Sequence, residues 1–165
     1  MNLLDEVLAL KHLDRAGWRR VGIDRPESVA AHTWGVCWLV LVLCPDELDR
    51  NHALQMAVIH DLAETRTGDI TPHDGVSPAE KGRMESDAIA QMLRERPDLA
   101  ALWQDYEAQE SEEARFVHDL DRLDMALQAV RYGRELGADT DEFLDSARRD
   151  IRHPIVRAEL DKLQG

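Results

Sequence analysis

The amino-acid sequence predicts an all-α protein, a compact helical bundle, and three observations carry the prediction. Apolar residues recur at intervals of three and four along most of the chain. Capping and stopping residues punctuate those runs. No stretch shows the strict alternation of a half-buried strand. With 165 residues, 44% hydrophobic and 32% charged, the chain can bury a substantial core and is too apolar to stay disordered. Residues 1–165 are therefore read as one domain.

The first helix is expected from about Asn2 to Ala16, where Leu3, Leu4, Val7, Leu8 and Leu10 share helical spacing and Gly17 supplies the stop. Ser28 is placed to N-cap a second helix through Val29, Val36, Leu39, Val40 and Leu43 to Cys44, ended by Pro45. That segment is apolar nearly all round, which predicts a central position. A third helix is expected from about Asp49 to about Arg66, through Leu54, Ala57, Val58 and Leu62; Gly68 and Pro72 stop it and leave a loop from Thr67 to Gly75.

Ser77-Pro78-Ala79-Glu80 forms a capping box with proline at the first helical position, opening a helix to about Arg96. Pro97 breaks it, and Asp98 caps a short helix over Leu99 to Ala108. Ser111 caps a long helix in which Phe116, Leu120, Leu123, Leu127 and Val130 keep helical spacing. Shorter helices around Asp141–Ile151 and Ile155–Leu163 close the chain.

Composition narrows function. A net charge of −13 argues against a nucleic-acid polymer as partner, since such binding draws on many Lys and Arg contacts to phosphate. Cations gather instead near the N-terminus, at Lys11, Arg15, Arg19, Arg20 and Arg25, where a small anion would find them. Cys37 and Cys44 lie two turns apart on one expected helix, too far for a disulfide, and read as core residues of a reducing compartment. The longest apolar run, Trp34 to Cys44, falls short of a membrane span, and no signal peptide is evident. A cytoplasmic location is the expectation.

Chemistry is expected where polar residues interrupt apolar helices. His60-Asp61 ends the run Met56-Ala57-Val58-Ile59, and His32 sits one turn into the apolar second helix. A buried carboxylate without a partner is costly, and one divalent cation would satisfy both side chains of the pair. His32 is a plausible third ligand. A fourth would come from the long helix, where periodicity does not separate Asp119, Asp121 and Asp124.

The order His32, then His60-Asp61, then Asp121 resembles the HD superfamily of metal-dependent phosphohydrolases. Three segments look more specifically like its 5′-deoxynucleotidase subgroup: Glu27-Ser28-Val29-Ala30-Ala31-His32, the run from His60 to Pro72, and Asp121-Arg122-Leu123-Asp124-Met125-Ala126-Leu127-Gln128-Ala129. The resemblance implies an HD-domain bundle and one divalent metal held by His32, His60, Asp61 and Asp121, choosing Asp121 from the long helix. It implies hydrolysis of (deoxy)nucleoside 5′-monophosphates to nucleoside and phosphate. Ala31 departs from the subgroup, which usually has Glu before the histidine.

Such hydrolysis needs an activated water and a proton for the departing oxygen. Glu64 follows His60 by four residues and Asp61 by three, on the face where the ion would sit, and is the candidate to orient or deprotonate the water. Asp69, just past Gly68, is the candidate general acid, and the two could exchange roles. Arg15 and Trp18 resemble the subgroup's substrate-binding segment, the arginine gripping phosphate and the tryptophan shaping the sugar site. Lys81 and Glu85 read as an ion pair on one helix face.

Another HD hydrolase, acting on a triphosphate, cyclic dinucleotide or alarmone, is the alternative enzyme, and His118, one turn before Asp121, keeps a dinuclear site open. A non-catalytic metal- or nucleotide-binding module is the alternative outside enzymology; the presence of both Glu64 and Asp69 argues against it. Two histidines and two carboxylates suit manganese, cobalt, iron, zinc, nickel or magnesium alike. Family resemblance and apolar helical surface suggest a homodimer.

Overall fold

In the computed structural model, which describes residues 2–163, Asn2 N-caps α1 (Leu3–Glu6), accepting a bond from the Leu4 amide at 3.1 Å. A 3₁₀ turn over Val7–Lys11 follows, and the chain then extends. The expected continuous helix to Ala16 is therefore not formed. Leu13 and Arg15 pair instead with the strand-like segment before the first long helix: Arg15 N–H donates to Glu27 O at 3.0 Å and Val29 N–H to Leu13 O at 2.8 Å. This pairing, around an isolated bridge between Asp14 and Ser28, overrides the helical spacing of the leucines. Gly17, expected as a stop, lies inside α2 (Ala16–Arg20).

Helix α3 (Val29–Leu43) starts as expected, with Ser28 Oγ accepting from Ala31 N–H. It is not central, however. Val29, His32, Val36 and Val40 are buried, while Trp34 is 69% exposed and Trp38, Leu41 and Val42 are also in solvent. An all-apolar helix here has one face in the core and one uncovered.

Helix α4 (Arg50–Ile59) is capped by Asp49 and stops short of the expected Arg66. From His60 the backbone tightens: Leu62, Glu64, Thr65 and Arg66 each donate to the carbonyl three residues earlier. The carbonyl of His60 receives the indole N–H of Trp103 at 3.1 Å instead of an amide of its own helix. Only α5 (Glu64–Thr67) resumes helical form, and Gly68, at φ 74°, turns the chain away.

Helix α6 (Pro78–Met92) has the expected cap, Ser77 accepting from Glu80, but ends before Arg96. Pro97 then opens α7 (Pro97–Ala108) at its first position rather than breaking a helix, and Asp98 pairs with Arg96. Ser111 caps α8 (Glu112–Leu136), with Gly137 in the left-handed region at its end. Helices α9 (Asp141–Asp150) and α10 (Pro154–Lys162) complete the order. Helix α8 is the spine, packed by α3, α4, α7, α9 and α10. Among the described residues no strand forms beyond the Asp14–Ser28 bridge, and no helix is long and apolar enough to cross a membrane.

Candidate metal centre and active site

Three elements of the core each deliver a ligand type to one point. Helix α3 brings His32, the tightened end of α4 brings His60 and Asp61, and the middle of α8 brings Asp121. His32 and His60 are buried. Nε2 of His32 lies 3.0 Å from Asp121 Oδ1 and 3.4 Å from Nε2 of His60, which is 3.2 Å from Asp61 Oδ2. Asp61 Oδ2 is 3.8 Å from Nε2 of His32. One donor atom each from His32, His60 and Asp121 falls within 4.8 Å of the others.

The outer nitrogens decide what the inner ones present. Nδ1 of His60 is 2.8 Å from the carbonyl of Ala57, an acceptor only, so it carries the proton. Nδ1 of His32 is 2.7 Å from Asp124 Oδ2 and likewise donates. In the neutral imidazoles both lone pairs are therefore on Nε2, aimed at each other across 3.4 Å, where neither can satisfy the other. A cation among those nitrogens and the carboxylates of Asp61 and Asp121 satisfies all four, so the donor set fits a divalent metal.

Electrostatics agree. Burial and the Arg15 charge oppose protonation of His32, yet its bonds to Asp121 and Asp124 outweigh them and push its pKa up to about 10. His60 also rises, Asp61 overcoming burial. Burial alone would raise Asp61 and Asp121; the charges of His60 and Arg15 hold the first well below the carboxylate range, and the His32 bond and Arg122 charge hold the second there. Protons and a metal thus compete for the same nitrogens.

The three aspartates of α8 sort cleanly. Asp121 faces the imidazoles and Asp124 orients His32 from behind. Asp119 instead accepts from the amides of Arg152 and His153, at 2.8 and 2.6 Å, and fixes the entry to α10. Gly35 makes room for Asp124: a Cβ there would lie 2.8 Å from its carboxylate carbon. The role of Asp124 and the need for Gly35 escape a reading by spacing; both depend on how α3 packs on α8.

Glu64 is 4% exposed, and its Oε2 has no hydrogen-bond partner. Burial, then the charges of Asp61 and Asp69, push its carboxyl pKa up to about 10. Asp69 accepts the Ala16 amide at 2.7 Å, tying the loop after Gly68 to the start of α2. That bond holds Arg15, whose Nη1 is 3.4 Å from Asp61 Oδ2. Burial works against the Arg15 charge, but Asp61, Asp69, Asp121 and Glu64 together raise its pKa.

Trp18 lies apart from these groups. It is 2% exposed, its ring centroid 4.2 Å from Phe143 and 5.2 Å from Tyr132, and its N–H goes to Glu27 Oε1 at 2.9 Å. A direct sugar contact would need this ring uncovered; packed so, it anchors α2 and through it Arg15.

Beside the donor set a cleft of about 250 Å³ opens between α6 and the α7–α8 junction. His60, Asp61, Glu64 and Asp121 form one end, and Lys81, Glu85, Tyr106, Glu107, His118 and Arg122 line its walls. Lys81 and Glu85 make the expected pair at 3.5 Å, although Glu85 is buried rather than on an open face.

Helices converging two imidazoles and two carboxylates beside a buried carboxyl group define an all-helical hydrolase of the metal-dependent kind. Residues 7–163 match the family described as HD domain, and the chain belongs to that family. It is 37% identical over 154 residues to the 5′-deoxynucleotidase HDDC2 of Mus musculus, covering 89% of this chain and 77% of that one. It is 34% identical over 164 residues to the 5′-deoxynucleotidase hdd1 of Schizosaccharomyces pombe, covering 93% and 83%. A solved Pyrococcus horikoshii protein superposes with a TM-score of 0.83 at 31% identity, over 98% of this chain and 96% of that one. The cyanophage S-2L HD phosphohydrolase DatZ, solved with dA and one catalytic zinc ion, shares the fold at a TM-score of 0.65 and 22% identity, over 97% and 93%.

Proposed function

We propose that this protein is a metal-dependent 5′-deoxynucleotidase, hydrolysing deoxynucleoside 5′-monophosphates to nucleoside and phosphate. The observation that carries the reading is the convergence of the Nε2 atoms of His32 and His60, 3.4 Å apart, with the carboxylates of Asp61 and Asp121 beside them and the unpartnered carboxyl of Glu64 adjoining. The names of the two relatives support the substrate class.

His32, His60, Asp61 and Asp121 would hold one divalent ion, with manganese, cobalt, iron, zinc, nickel and magnesium all chemically suited. When bound, it supplies Lewis-acid stabilisation of phosphate charge and makes water more acidic. With the ion's charge favouring its ionised form, Glu64, buried beside the donors, would take a proton from the attacking water as its oxygen bonds to phosphorus. Asp69 gives a proton to the 5′ oxygen as the phosphorus–oxygen bond breaks, and the two carboxyl groups can exchange these duties. Arg15, locked by Asp61 and by the Asp69–Ala16 bond, grips the phosphate. Trp18 holds Arg15 in place through packing.

Residues 1–165 act as one HD domain in this reading, in the cytoplasm, on a small nucleotide rather than a nucleic-acid polymer. Two copies pair through the outer face of α3, where Trp34 and Trp38 lie stacked with centroids 6.5 Å apart beside exposed Leu41 and Val42.

Phosphate release from a panel of nucleotides, with added divalent metal and for wild type and Glu64→Ala, tests the activity. Turnover of deoxynucleoside monophosphates that falls at least about 100-fold in the variant supports it. Binding without release by either protein overturns it in favour of a binding module.

A further inference from the structure

Among the described residues, four buried side-chain polar atoms lack a hydrogen-bond partner, and two belong to residues lining the same cleft: Glu64 Oε2 and Arg122 Nε. They are of opposite character, an acceptor and a donor, and they do not pair with one another. A buried guanidinium N–H without an acceptor is costly, and here it belongs to a cationic residue on the wall of the cleft. Among the described residues no carboxylate of the cleft forms an ion pair with Arg122. Asp121 faces Nε2 of His32 at 3.0 Å, and Glu85 is paired with Lys81 at 3.5 Å.

Position along the chain gives the likeness of a clamp. Arg15 contacts Asp61 from the start of α2, and Arg122 lines the cleft alongside Asp121 on α8, so cations from two elements border the donor set. Arg122 bears on Asp121, Tyr106 and His118 electrostatically, which places its charge on this side of the cleft. We propose that Arg122 is a phosphate-binding residue, its guanidinium taking phosphoryl oxygens on the Asp121 side while Arg15 takes them on the Asp61 side. The planar fork of arginine suits two such oxygens at once, and a bound anion would offset a charge that no carboxylate pairs. This inference rests on the reading that a phosphomonoester occupies the cleft.

The test uses inorganic phosphate as the probe, titrated calorimetrically into manganese-loaded wild type, Arg122→Lys and Arg122→Gln. Arg122→Gln weakens phosphate binding at least about tenfold and raises KM for a deoxynucleoside monophosphate by a similar factor, with kcat changed less. Arg122→Lys recovers part of the loss. Manganese stoichiometry and affinity for the product nucleoside, which lacks phosphate, stay as in wild type. Phosphate affinity unchanged in Arg122→Gln overturns the proposal, as does an equal loss of phosphate and nucleoside affinity, which marks a structural role. Should Arg122→Gln not fold, Arg122→Met keeps the apolar stem and decides by the same readouts. Phosphate affinity is measured without turnover, so a wild type that binds phosphate through Arg122 yet hydrolyses no nucleotide contradicts the proposed activity and leaves this role standing.

Discussion

The carboxylate of Asp124 occupies the space in which any side chain at Gly35 would begin, and from there it takes the Nδ1–H of His32 at 2.7 Å. The helix that carries the first imidazole thus has a gap one turn on, through which a residue of α8 reaches that imidazole from behind. Gly35→Ala pushes Asp124 away and is expected to lower metal affinity by about 10- to 100-fold, the range for losing a group that orients a ligand histidine. Asp124→Asn has a similar effect. Competition with a chromogenic chelator measures both; unchanged affinity in both variants would show that the contact does not govern the site.

Metal binding is expected to strengthen as pH rises. His32, with its pKa pushed up to about 10, holds a proton at neutral pH that a cation must displace, and the upward shift of His60 adds to the competition. Each displaced proton makes apparent affinity rise about tenfold per pH unit below the relevant pKa. Calorimetry in buffers of different ionisation enthalpy counts the protons released; a count of zero between pH 6 and 8 refutes the competition.

Glu64→Gln is expected to cost activity and gain stability. Burial and its anionic neighbours push the pKa of Glu64 up to about 10 in the folded protein from an ordinary 4.5, so unfolding the metal-free protein releases a proton between those limits. Stability from this group is therefore full below about pH 4.5 and declines as pH rises toward 10. Glutamine removes the decline, making the metal-free variant more stable than wild type by about 1–3 kcal/mol at pH 7, with the gain vanishing near pH 4. Urea melts across that range check both the sign and the window.

Wild type is expected to sediment as a dimer, and Trp38→Glu, which places a charge on the exposed apolar face of α3, as a monomer. Analytical ultracentrifugation reads the outcome. Equal sedimentation of the two proteins removes this face as the interface.

The sequence makes the helices with sidechain caps legible, because Ser28, Ser77 and Ser111 act locally, each on an amide three residues on. It misleads where distant backbone decides. The leucines before Ala16 keep helical spacing, yet pairing of Leu13 and Arg15 with Val29 and Glu27 draws that segment out straight. Helical periodicity also runs on through His60, while the backbone tightens there and hands the His60 carbonyl to Trp103. In the site, His32 and the His60-Asp61 pair stand out as polar residues in apolar runs. Asp119, Asp121 and Asp124 do not separate by spacing, since α8 buries parts of several faces, and only family resemblance selects Asp121 before the packing is seen. Arg122 and Gly35 carry no local signal, because each matters through what another helix brings near.

The proposed activity requires one cation between His32 and His60. The most direct measurement titrates manganese into chelator-stripped protein while following both bound metal and phosphate release from a deoxynucleoside 5′-monophosphate. Activity is expected to rise with occupancy to a plateau at about one ion per chain, and both signals to be lost together in His60→Ala. Phosphate release that persists in the stripped protein, or in His60→Ala with no ion bound, would contradict this requirement.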